Sequence, residues 1–365
     1  MTSSSAAPPT TVLSVVGARP QFVKLAPVAE ALQGRCRHVI VHTGQHYDAE
    51  LSDVFFSGLH IPEPDVHLGI GSGSHASQTG SMMTALEPVL LEHQPDWVLV
   101  YGDTNSTLAA ALAAVKVHLP VAHLEAGLRS FNRRMPEEHN RVLTDHAADV
   151  CLAPTDVAMR HLADEGLASR SRLVGDVMTD VCLRVAASVR DEPPTAVPGT
   201  GDDGYYLATV HRAENTDDPA RLDAVVRGLA SLDRPVLLLA HPRLVATAAH
   251  HGISLSQGSI VVEQPQPYHE LIRLALHSAG VVTDSGGLQK EAFLLRVPCT
   301  TLRYETEWTE TVDLGWNVLA GDVSTLADAV HRPAPQPTTA TPYGDGHAAE
   351  RTADVLLGEV DASAA

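Results

Sequence analysis

Three carboxylates in the first half of the chain lie where proton-transfer residues are expected. Asp103 follows the apolar run 97–101, Glu125 follows the run 120–124, and Glu137 stands in the first turn of a predicted helix. Parallel strands end at the same edge of a sheet, so we expect these acids to lie close together. Carboxylates in different surroundings have different pKa values, as removal and return of a proton require. We infer acid/base chemistry for these three residues.

Two of the acids also have structural explanations. Asp103 can cap the polar helix start at 104–106. Glu137 can favour the dipole of its helix from the first turn, and it can pair with Arg141 four residues later. Glu125 has no comparable structural explanation, so the acid/base interpretation rests mainly on it.

A strand that runs into two glycines predicts an anion site in the second half of the chain. The segment 281–292 reads VVTDSGGLQKEA, an apolar run followed by small residues and then by helical spacing. Gly286 and Gly287 allow close approach of the backbone, and the first N–H groups of the helix then point at an anion. Ser285 can add a hydroxyl donor, and Glu291 can accept hydrogen bonds from ribose; the alternative is an ordinary turn capped by Ser285. The predicted diphosphate-binding turn is Asp284, Ser285, Gly286 and Gly287.

Basic and aromatic residues follow other predicted strands. Arg19 and Lys24 come after the run 12–16, His211 and Arg212 after 205–210, and His241 after 236–240. A His-Arg doublet offers two charge-assisted donors to a phosphate. The alternatives are helix initiation at 19–24 and a solvated loop at 211–212. Tyr268 opens another helix, where it either packs on a uracil-sized base or belongs to the core.

The elements that position these residues form two α/β domains. Short β-branched runs alternate with helical stretches in both halves, which indicates two doubly wound parallel sheets around a shared crevice. The segment RDEPPTAVPGTGDDG at 190–204 has no periodicity and is rich in Pro, Gly and Asp, so we place the linker there. We predict an N-terminal domain at 1–189, a C-terminal domain at 205–341, and a last helical segment, 342–365, that packs back across the domains.

Composition excludes several classes of protein. The 365 residues, 44% of them hydrophobic, suffice for two cores. A formal net charge of -19 argues against nucleic-acid binding, which needs clustered Lys and Arg. No apolar run is long enough to span a bilayer, and the first residues lack the features of a secretory signal, so we expect a cytosolic protein without membrane contact. Cys36, Cys151, Cys182 and Cys299 lack zinc-site spacing, and we expect buried free thiols and no metal.

The motifs, taken in order, resemble those of the non-hydrolysing UDP-N-acetylglucosamine 2-epimerase family. They run from GARPQFVKLAPV at 17–28 through HTGQHYD, YGDTNST, EAGLRSFNRRMPEEHNR, VHRAEN and TDSGGLQKEA to PYGDGHAAER at 342–351, and so cover nearly the whole chain. The resemblance implies two Rossmann-like domains of the glycosyltransferase-B type facing a central cleft. It also implies a homodimer that needs no cofactor and no metal.

The reaction that the resemblance implies is inversion at C2 of a UDP-linked sugar. The C2 proton is removed, UDP leaves by anti elimination, and the bound 2-acetamidoglucal takes UDP back after reprotonation on the opposite face. Asp103, Glu125 and Glu137 are the implied acid/base residues. With the residues predicted above, the substrate-binding set is Arg19, Lys24, Arg141, His211, Arg212, His241, Tyr268, Ser285, Gly286, Gly287 and Glu291.

Two segments depart from the pattern of the family. The chain has QHYD at 45–48 where many members have QHR, and TEWTE at 306–310 where many have TERPE. In some bacterial members the Gln-His region contributes to an activating UDP-N-acetylglucosamine site, which makes Gln45, His46 and Gln78 candidate regulatory contacts.

The same departures bear on the substrate. UDP-N-acetylglucosamine is the first expectation. The alternative is a modified sugar such as UDP-2,3-diacetamido-2,3-dideoxy-glucuronate, whose carboxylate would need a cation from Arg129, Arg133 or Arg134.

Two other functions are compatible with the same motifs. A glycosyltransferase would use the same UDP site together with an acceptor, and a nucleotide-sugar sensor would bind without turnover. The presence of all three acids argues against the sensor.

Overall fold

The structure is a computed structural model that describes residues 9–44, 62–192, 197–200 and 204–359. The chain divides into two compact units, the first formed by Met1–Val181 with Thr341–Ala365 and the second by Cys182–Ala340. Each unit has one fully parallel sheet with helices packed on it. The prediction of two Rossmann-like, doubly wound domains is therefore confirmed.

The first unit is built on a seven-stranded sheet in the order β3-β2-β1-β4-β5-β6-β7. The strands are β1 Thr11–Val16, β2 Arg37–His42, β3 Val66–His67, β4 Trp97–Tyr101, β5 Val121–Leu124, β6 Val150–Ala153 and β7 Ser171–Leu173. The helices described are α1 Arg19–Leu32, α2 His75–His93, α3 Asn105–Lys116, α4 Pro136–Ala147, α5 Asp156–Asp164 and a last helix, Ala348–Leu357. Helix α6 spans Val177–Val189, and only its first turn belongs to this unit.

Side chains of the central strand β1 alternate between two apolar layers, as expected for a sheet that is covered on both faces. Leu13 and Val15 pack with residues of α2 and α3 on one face. Val12 and Val16 pack with residues of α1 and of the last helix, Ala348–Leu357, on the other face.

The second unit repeats this plan in a six-stranded sheet, with the order β10-β9-β8-β11-β12-β13. The strands are β8 Tyr206–Thr209, β9 Val236–Leu239, β10 Ile260–Glu263, β11 Gly280–Thr283, β12 Cys299–Thr301 and β13 Asn317–Leu319. The helices described are α7 Ala213–Thr216, α8 Pro219–Ala230, α9 Pro242–His250, α10 Tyr268–Leu276, α11 Gly286–Leu294, α12 Thr309–Asp313 and α13 Leu326–Val330. The last helix, Ala348–Leu357, is α14.

In both sheets the connections reverse direction beside the first strand. The reversal falls between β1 and β4 in the first unit and between β8 and β11 in the second. Such switch points open a crevice at the carboxyl ends of the strands, which is where ligands bind in doubly wound folds.

The two units divide inside helix α6, between Val181 and Cys182. The first turn of α6 is fastened to the first unit, because the Asp180 carboxylate accepts hydrogen bonds from the backbone N–H groups of Ala348 (3.1 Å) and Ala349 (2.7 Å) at the start of α14. Later residues of α6 pack in a cluster of the second unit with Ile272. The predicted linker at 190–204 lies C-terminal to this division, and the chain returns to the first unit at Thr341, next to the predicted boundary.

All four cysteines are free thiols, of which Cys151, Cys182 and Cys299 are buried and Cys36 is half-buried. Among the described helices, none combines the length and the apolar composition that a membrane crossing requires.

Gly127 shows how closely the turn after β5 is packed. Its φ is +82°, and its N–H donates to a carboxylate oxygen of Asp145 at 3.1 Å. A Cβ at this position would lie 2.5 Å from the carbonyl oxygen of Ala158 in α5. The turn can therefore form only with glycine at this position.

We expect the Gly127→Ala substitution to lower the free energy of unfolding by several kcal/mol, because a left-handed residue with a Cβ costs about 1–2 kcal/mol and overpacking adds about 1–3 kcal/mol. The matched control is Gly34→Ala, where φ is +74° but no atom lies within 4 Å of the new Cβ. Denaturant unfolding of both variants measures the difference. Equal losses of stability would show that the backbone conformation alone requires glycine.

Candidate active site

The turn after β4 is held by neighbouring elements of the first unit. Gly102 has a φ of +62° and its carbonyl accepts a hydrogen bond from Nε2 of buried His123 at 2.7 Å. The carbonyl of Asp103 accepts one from the side-chain amide of Asn140 at 2.9 Å. Thr104, and not Asp103, caps α3, since the Thr104 hydroxyl accepts from the N–H of Thr107. The capping alternative for Asp103 is wrong, and its carboxylate is left for other contacts.

Glu125, the residue after β5, and Lys24, in helix α1, form a close ion pair, with each side chain only 12% exposed. Glu125 has a φ of +73°, a conformation that is uncommon for a residue with a side chain and that is concentrated at functional sites. The pair lies over Gly102, where a Cβ would be 3.1 Å from Oε2 of Glu125 and 3.3 Å from Nζ of Lys24. The glycine therefore makes the space that the pair occupies.

Lys24 is surrounded by acids. Burial lowers the pKa of Lys24, but the carboxylate of Glu125, with smaller contributions from Asp103 and Asp176, outweighs burial and leaves the pKa above its usual value. Lys24 is therefore a permanent cation at neutral pH. Asp176 follows β7 and was not singled out from the sequence, where no motif distinguishes it.

Arg141 joins the carboxylate of Asp103 to that of Glu138. It forms a close ion pair with Asp103 and a second at 3.0 Å with Glu138. Burial lowers the pKa of Arg141, but the acids around it, Asp103 first and Glu125 last among them, leave it raised. The predicted pair between Glu137 and Arg141 is wrong, because the partner on the helix is Glu138.

Glu138 and Glu137 have different environments although they are adjacent. Glu138 is buried, and its carboxylate accepts hydrogen bonds from the N–H groups of Ser130 and Phe131, both at 2.9 Å. Burial raises the pKa of Glu138, but these donors and Arg141 together lower it by more, so the pKa lies below its usual value. Glu137 is half-buried and has no ion pair within the described residues. Glu138 is thus a structural anion of the preceding loop, and Glu137 keeps a free carboxylate.

A network of buried charged residues holds the turns after β4 and β5. Nδ1 of His123 lies 2.6 Å from one oxygen of Asp145, and the other oxygen lies 2.7 Å from Arg129. Burial raises the pKa of Asp145, but His123 and Arg129 outweigh it and hold the pKa below its usual value. Arg129 also pairs with Glu165 at 2.7 Å. Arg129, which we considered as a cation for a sugar carboxylate, is committed to this network.

The turn after β1 is fastened by Gln21, which sequence reasoning missed. Its side-chain oxygen accepts from the N–H groups of Gly17 (2.8 Å) and Ala18 (2.9 Å), and its amide donates to the carbonyl of Tyr101 at 2.8 Å. This links the ends of β1 and β4 at the switch point. The signal in the sequence was an amide in the first turn after a strand. Arg19 is the first residue of α1, and its side chain lies outside the described part of the chain.

Gln78, one of the candidate regulatory residues, is connected to the same site. It is buried, and its side-chain oxygen accepts from the amide of Asn105 at 2.8 Å. Asn140 donates to Asn105 at 3.3 Å and to the Asp103 carbonyl. Gln45 and His46 lie outside the described residues.

In the second unit, the role of Asp284 differs from the predicted role, which was contact with the ligand. Its side chain is fully buried, so it cannot touch a ligand. Its carboxylate accepts from the N–H groups of His211 (3.1 Å) and Arg212 (3.0 Å) and from the side-chain amide of Asn215 (3.0 Å). Asp284 holds the turn after β8.

The remaining residues of the glycine-rich turn begin helix α11. Ser285 is its N-cap, with the hydroxyl accepting from the N–H of Leu288 at 3.4 Å. A Cβ at Gly286 would lie 2.5 Å from Oε1 of Glu307, so a side chain there would require the Glu307 carboxylate to move. Gly287 is exposed, and the nearest atom to a Cβ there is 4.0 Å away. Gly287 thus leaves the helix N-terminus open to solvent.

Glu307, in the TEWTE segment, is paired with Arg303 at 2.9 Å. Burial raises the pKa of Glu307, but Arg303 and, to a smaller extent, Arg212 lower it, and the pKa is depressed overall. The negative charge beside Gly286 is therefore balanced by two cations.

Three other predicted binding residues make contacts with the protein itself. The hydroxyl of Tyr268 donates to Oε1 of Glu291 at 2.8 Å, and the ring packs against the cluster around Cys182 and Ile272. Burial, with Glu291 second, raises the pKa of Tyr268. These contacts favour the core alternative for Tyr268. His241 is exposed at the N-cap of α9, where Nδ1 accepts from the N–H of Arg243 at 3.2 Å.

Comparisons with known proteins agree with this architecture. A family model described as UDP-N-acetylglucosamine 2-epimerase matches residues 30–357. The UDP-2,3-diacetamido-2,3-dideoxy-D-glucuronate 2-epimerase of Pseudomonas aeruginosa is 46% identical over 94% of this chain and 99% of its own length. The UDP-N-acetylglucosamine 2-epimerase of Methanocaldococcus jannaschii is 40% identical over 94% of this chain and 97% of its own length.

A crystal structure of the M. jannaschii UDP-GlcNAc 2-epimerase in complex with UDP-GlcNAc and UDP has a TM-score of 0.83 and 37% identity, and the match covers 96% of this chain and 100% of that one. The fold class is thus glycosyltransferase-B-like, with two Rossmann-like domains. The chain belongs to the UDP-N-acetylglucosamine 2-epimerase family.

The open N-terminus of α11 gives a prediction that separates binding from folding. We expect Gly287→Ala to fold normally, since alanine favours a helix and has room here, but to weaken UDP binding about tenfold or more, because the methyl group blocks close approach of a phosphate. Calorimetric titration with UDP and thermal unfolding measure the two effects. Gly80→Ala in α2, where no atom lies within 4 Å of the new Cβ, is the control. Unchanged UDP affinity in Gly287→Ala would exclude this helix end as the phosphate site.

Proposed function

We propose that the protein is a non-hydrolysing 2-epimerase that inverts C2 of UDP-N-acetylglucosamine to give UDP-N-acetylmannosamine. The observation that carries the proposal is the arrangement at the switch point of the first unit. There, Glu125 and Asp103 follow adjacent strands, and the carboxylate of Glu125 contacts Lys24 while that of Asp103 contacts Arg141. Membership of the 2-epimerase family supports the same reaction.

The reaction proceeds by elimination and re-addition. A carboxylate takes the C2 proton, the bond between C1 and the diphosphate oxygen breaks, and a double bond forms between C1 and C2. UDP then attacks C1 while C2 takes a proton on the opposite face. Asp103, Glu125 and Glu137 are the candidates for these transfers, and the cations Lys24 and Arg141 hold two of them in fixed orientation.

Elimination develops negative charge on the leaving diphosphate, so donors aimed at it stabilise the transition state. In this proposal the donors are His211, Arg212 and the N–H groups at Gly286 and Gly287, with Arg19 contributed by α1. The exposed ring of His211 and the open helix N-terminus support this assignment. Glu291 would accept from the ribose after giving up its contact with Tyr268.

The decisive experiment is incubation with UDP-N-acetylglucosamine in deuterated water. The proposal requires deuterium at C2 and the appearance of the manno isomer, read by mass spectrometry and NMR. Free sugar would indicate hydrolysis instead, and consumption of substrate only with an added acceptor would indicate a glycosyltransferase. A substrate that stays unlabelled across a panel of UDP sugars would refute the epimerase function.

Variants of the candidate acids test the separation of binding from proton transfer. We expect Asp103→Asn and Glu125→Gln to reduce the rate of C2 exchange by at least about a hundredfold, the lower range for loss of a general acid or base. UDP affinity should change little, because the proposed diphosphate donors are other residues. Loss of UDP binding in a folded variant would contradict this division of roles.

A second substrate is favoured by a specific observation. The Pseudomonas aeruginosa relative at 46% identity is named for a diacetamido-glucuronate, whose C6 carboxylate needs a cation. Arg133 and Arg134 are exposed in the loop between Glu125 and Glu137, and their guanidinium groups have no ion pair among the described residues. They are the two cations that remain after Arg129 is assigned to Asp145 and Glu165.

If this sugar is the substrate, Arg133→Ser or Arg134→Ser should lower kcat/KM for the carboxylated sugar about tenfold to a hundredfold, the effect of losing a hydrogen bond to a charged group. The kcat/KM for UDP-N-acetylglucosamine should be unchanged. Arg160→Ser, at another exposed position of the same unit, controls for general loss of positive charge. Equal effects on both substrates would remove these residues from substrate selection.

A further inference from the structure

The two peptide groups on either side of the Asp103 Cα are held by buried side chains from other elements. The carbonyl of Gly102, on one side, accepts a hydrogen bond from Nε2 of His123 in β5 at 2.7 Å. The carbonyl of Asp103 itself, on the other side, accepts one from the side-chain amide of Asn140 in α4 at 2.9 Å. The backbone of Asp103 is therefore fixed on both sides, in addition to the ion pair of its carboxylate with Arg141.

Asn140 and Arg141 are consecutive residues of α4, but they contact different parts of Asp103. Arg141 contacts the carboxylate, and Asn140 contacts the main-chain carbonyl. The side chain of Asp103 is 32% exposed, so packing alone does not fix its position. A carboxylate is directed precisely only when the backbone that carries it is also held. The two contacts from α4 together determine where the Asp103 carboxylate lies.

Asn140 belongs to a row of three buried amide side chains, which we call the amide row: Asn140, Asn105 and Gln78. The amide nitrogen of Asn140 also donates to Oδ1 of Asn105 at 3.3 Å. The nitrogen of Asn105 donates to Oε1 of Gln78 at 2.8 Å, and the nitrogen of Gln78 donates to the carbonyl of Gly71 at 3.1 Å. The amide row thus runs from the carbonyl of Asp103 to the carbonyl of Gly71.

These two carbonyls determine the orientation of every amide in the row. A carbonyl only accepts hydrogen bonds, so an amide nitrogen must face it at each end of the row. The oxygen of Gln78 then faces Asn105 and needs a donor, which turns Asn105 so that its own oxygen faces Asn140. The two hydrogens of the Asn140 nitrogen therefore have two acceptors, Oδ1 of Asn105 and the carbonyl of Asp103.

We propose that Asn140 is a positioning residue that sets the place of the Asp103 carboxylate for proton transfer, and that Asn105 and Gln78 hold Asn140 in the orientation that this requires. The inference rests on the proposed function for the role of Asp103. Asn140 carries no charge and transfers no proton. It acts by donating a hydrogen bond to the main chain of the acid.

Isosteric substitutions separate the orientation of Asn140 from the mere presence of a buried polar group. Asn140→Asp keeps the shape but replaces the donor by an acceptor, which repels the Asp103 carbonyl. Asn105→Asp is the matched control, because it adds the same charge to the amide row but keeps the oxygen that accepts from Asn140. We expect C2 exchange to slow by about tenfold to a hundredfold in Asn140→Asp, since a misplacement of about 1 Å has an effect of this size, and by less than about threefold in Asn105→Asp.

Asn140→Ser tests the same contact without an added charge, and it decides the question if Asn140→Asp fails to fold. The serine hydroxyl is too short to reach both acceptors, so C2 exchange should again fall by about tenfold or more. The affinity for UDP, measured by calorimetry, should be unchanged. Equal losses of exchange in Asn140→Asp and Asn105→Asp, unchanged exchange in Asn140→Ser, or a parallel loss of UDP affinity would overturn the inference.

Combination with Asp103→Asn distinguishes a positioning role from a structural one. If Asn140 acts only through Asp103, adding Asn140→Ser to Asp103→Asn should slow the residual exchange by less than about twofold, because the carboxylate that it positions is already absent. A residue that only stabilises the fold would lower the residual rate by the same factor as in the wild-type background. Such multiplication of the two losses would contradict the proposed role.

Crystal structures of the wild type and of Asn140→Ser separate this inference from the proposed function. A shift of the Asp103 carboxylate by about 1 Å supports the positioning role, whether or not the protein exchanges C2. A carboxylate that stays in place in the variant refutes the positioning role even if the wild type is an epimerase. Absence of C2 exchange for every UDP sugar in the wild type refutes the epimerase function, and the position of the carboxylate then decides the inference by itself.

Discussion

Buried carboxylates that accept backbone N–H groups hold the functional turns of both units. Asp145 accepts from Gly127, Glu138 from Ser130 and Phe131, and Asp284 from His211 and Arg212. Burying an ionised carboxylate is expensive unless charge-assisted hydrogen bonds replace its water. Each carboxylate therefore stabilises one turn conformation strongly, because any other conformation leaves a charge without donors.

This constraint explains why one strained residue persists in the first unit. Glu125 has a positive φ, whereas Gly102 and Gly127, the glycines on either side of the site, adopt a positive φ without strain because they lack a Cβ. The strain is offset by the network of His123, Asp145 and the donors around them. As a result, the Glu125 and Lys24 pair forms over a fixed backbone, which is what the proposed role of Glu125 in proton transfer requires.

The sequence was informative about strands and weak about contacts between them. The long central strands and the helix at the glycine-rich turn were predictable from local pattern, and so were the positions of Asp103 and Glu125 at strand ends. Strands β3, β7 and β13 were not, because each has only two or three residues and lies at a sheet edge. Whether Glu137 or Glu138 is the buried partner of Arg141 depended on contacts with a loop eight residues away along the sequence. The role of Asp284 depended on contacts with the turn after a neighbouring strand, 73 residues away along the sequence. Periodicity carries no information about contacts at such separations.

Buried carboxylates that accept backbone N–H groups are common to both units, but they leave different side chains available after the strands. In the first unit Asp145 is satisfied by a backbone N–H group, His123 and Arg129. Glu138 is satisfied by backbone N–H groups and by Arg141, which also pairs with Asp103, and Lys24 pairs with Glu125. The outcome is a pair of oriented carboxylates. In the second unit the buried acid lies behind His211 and leaves the outer side of the ring exposed beside an open helix N-terminus. In each unit the buried carboxylates that accept backbone N–H groups therefore determine which side chains after the strands remain available for other contacts.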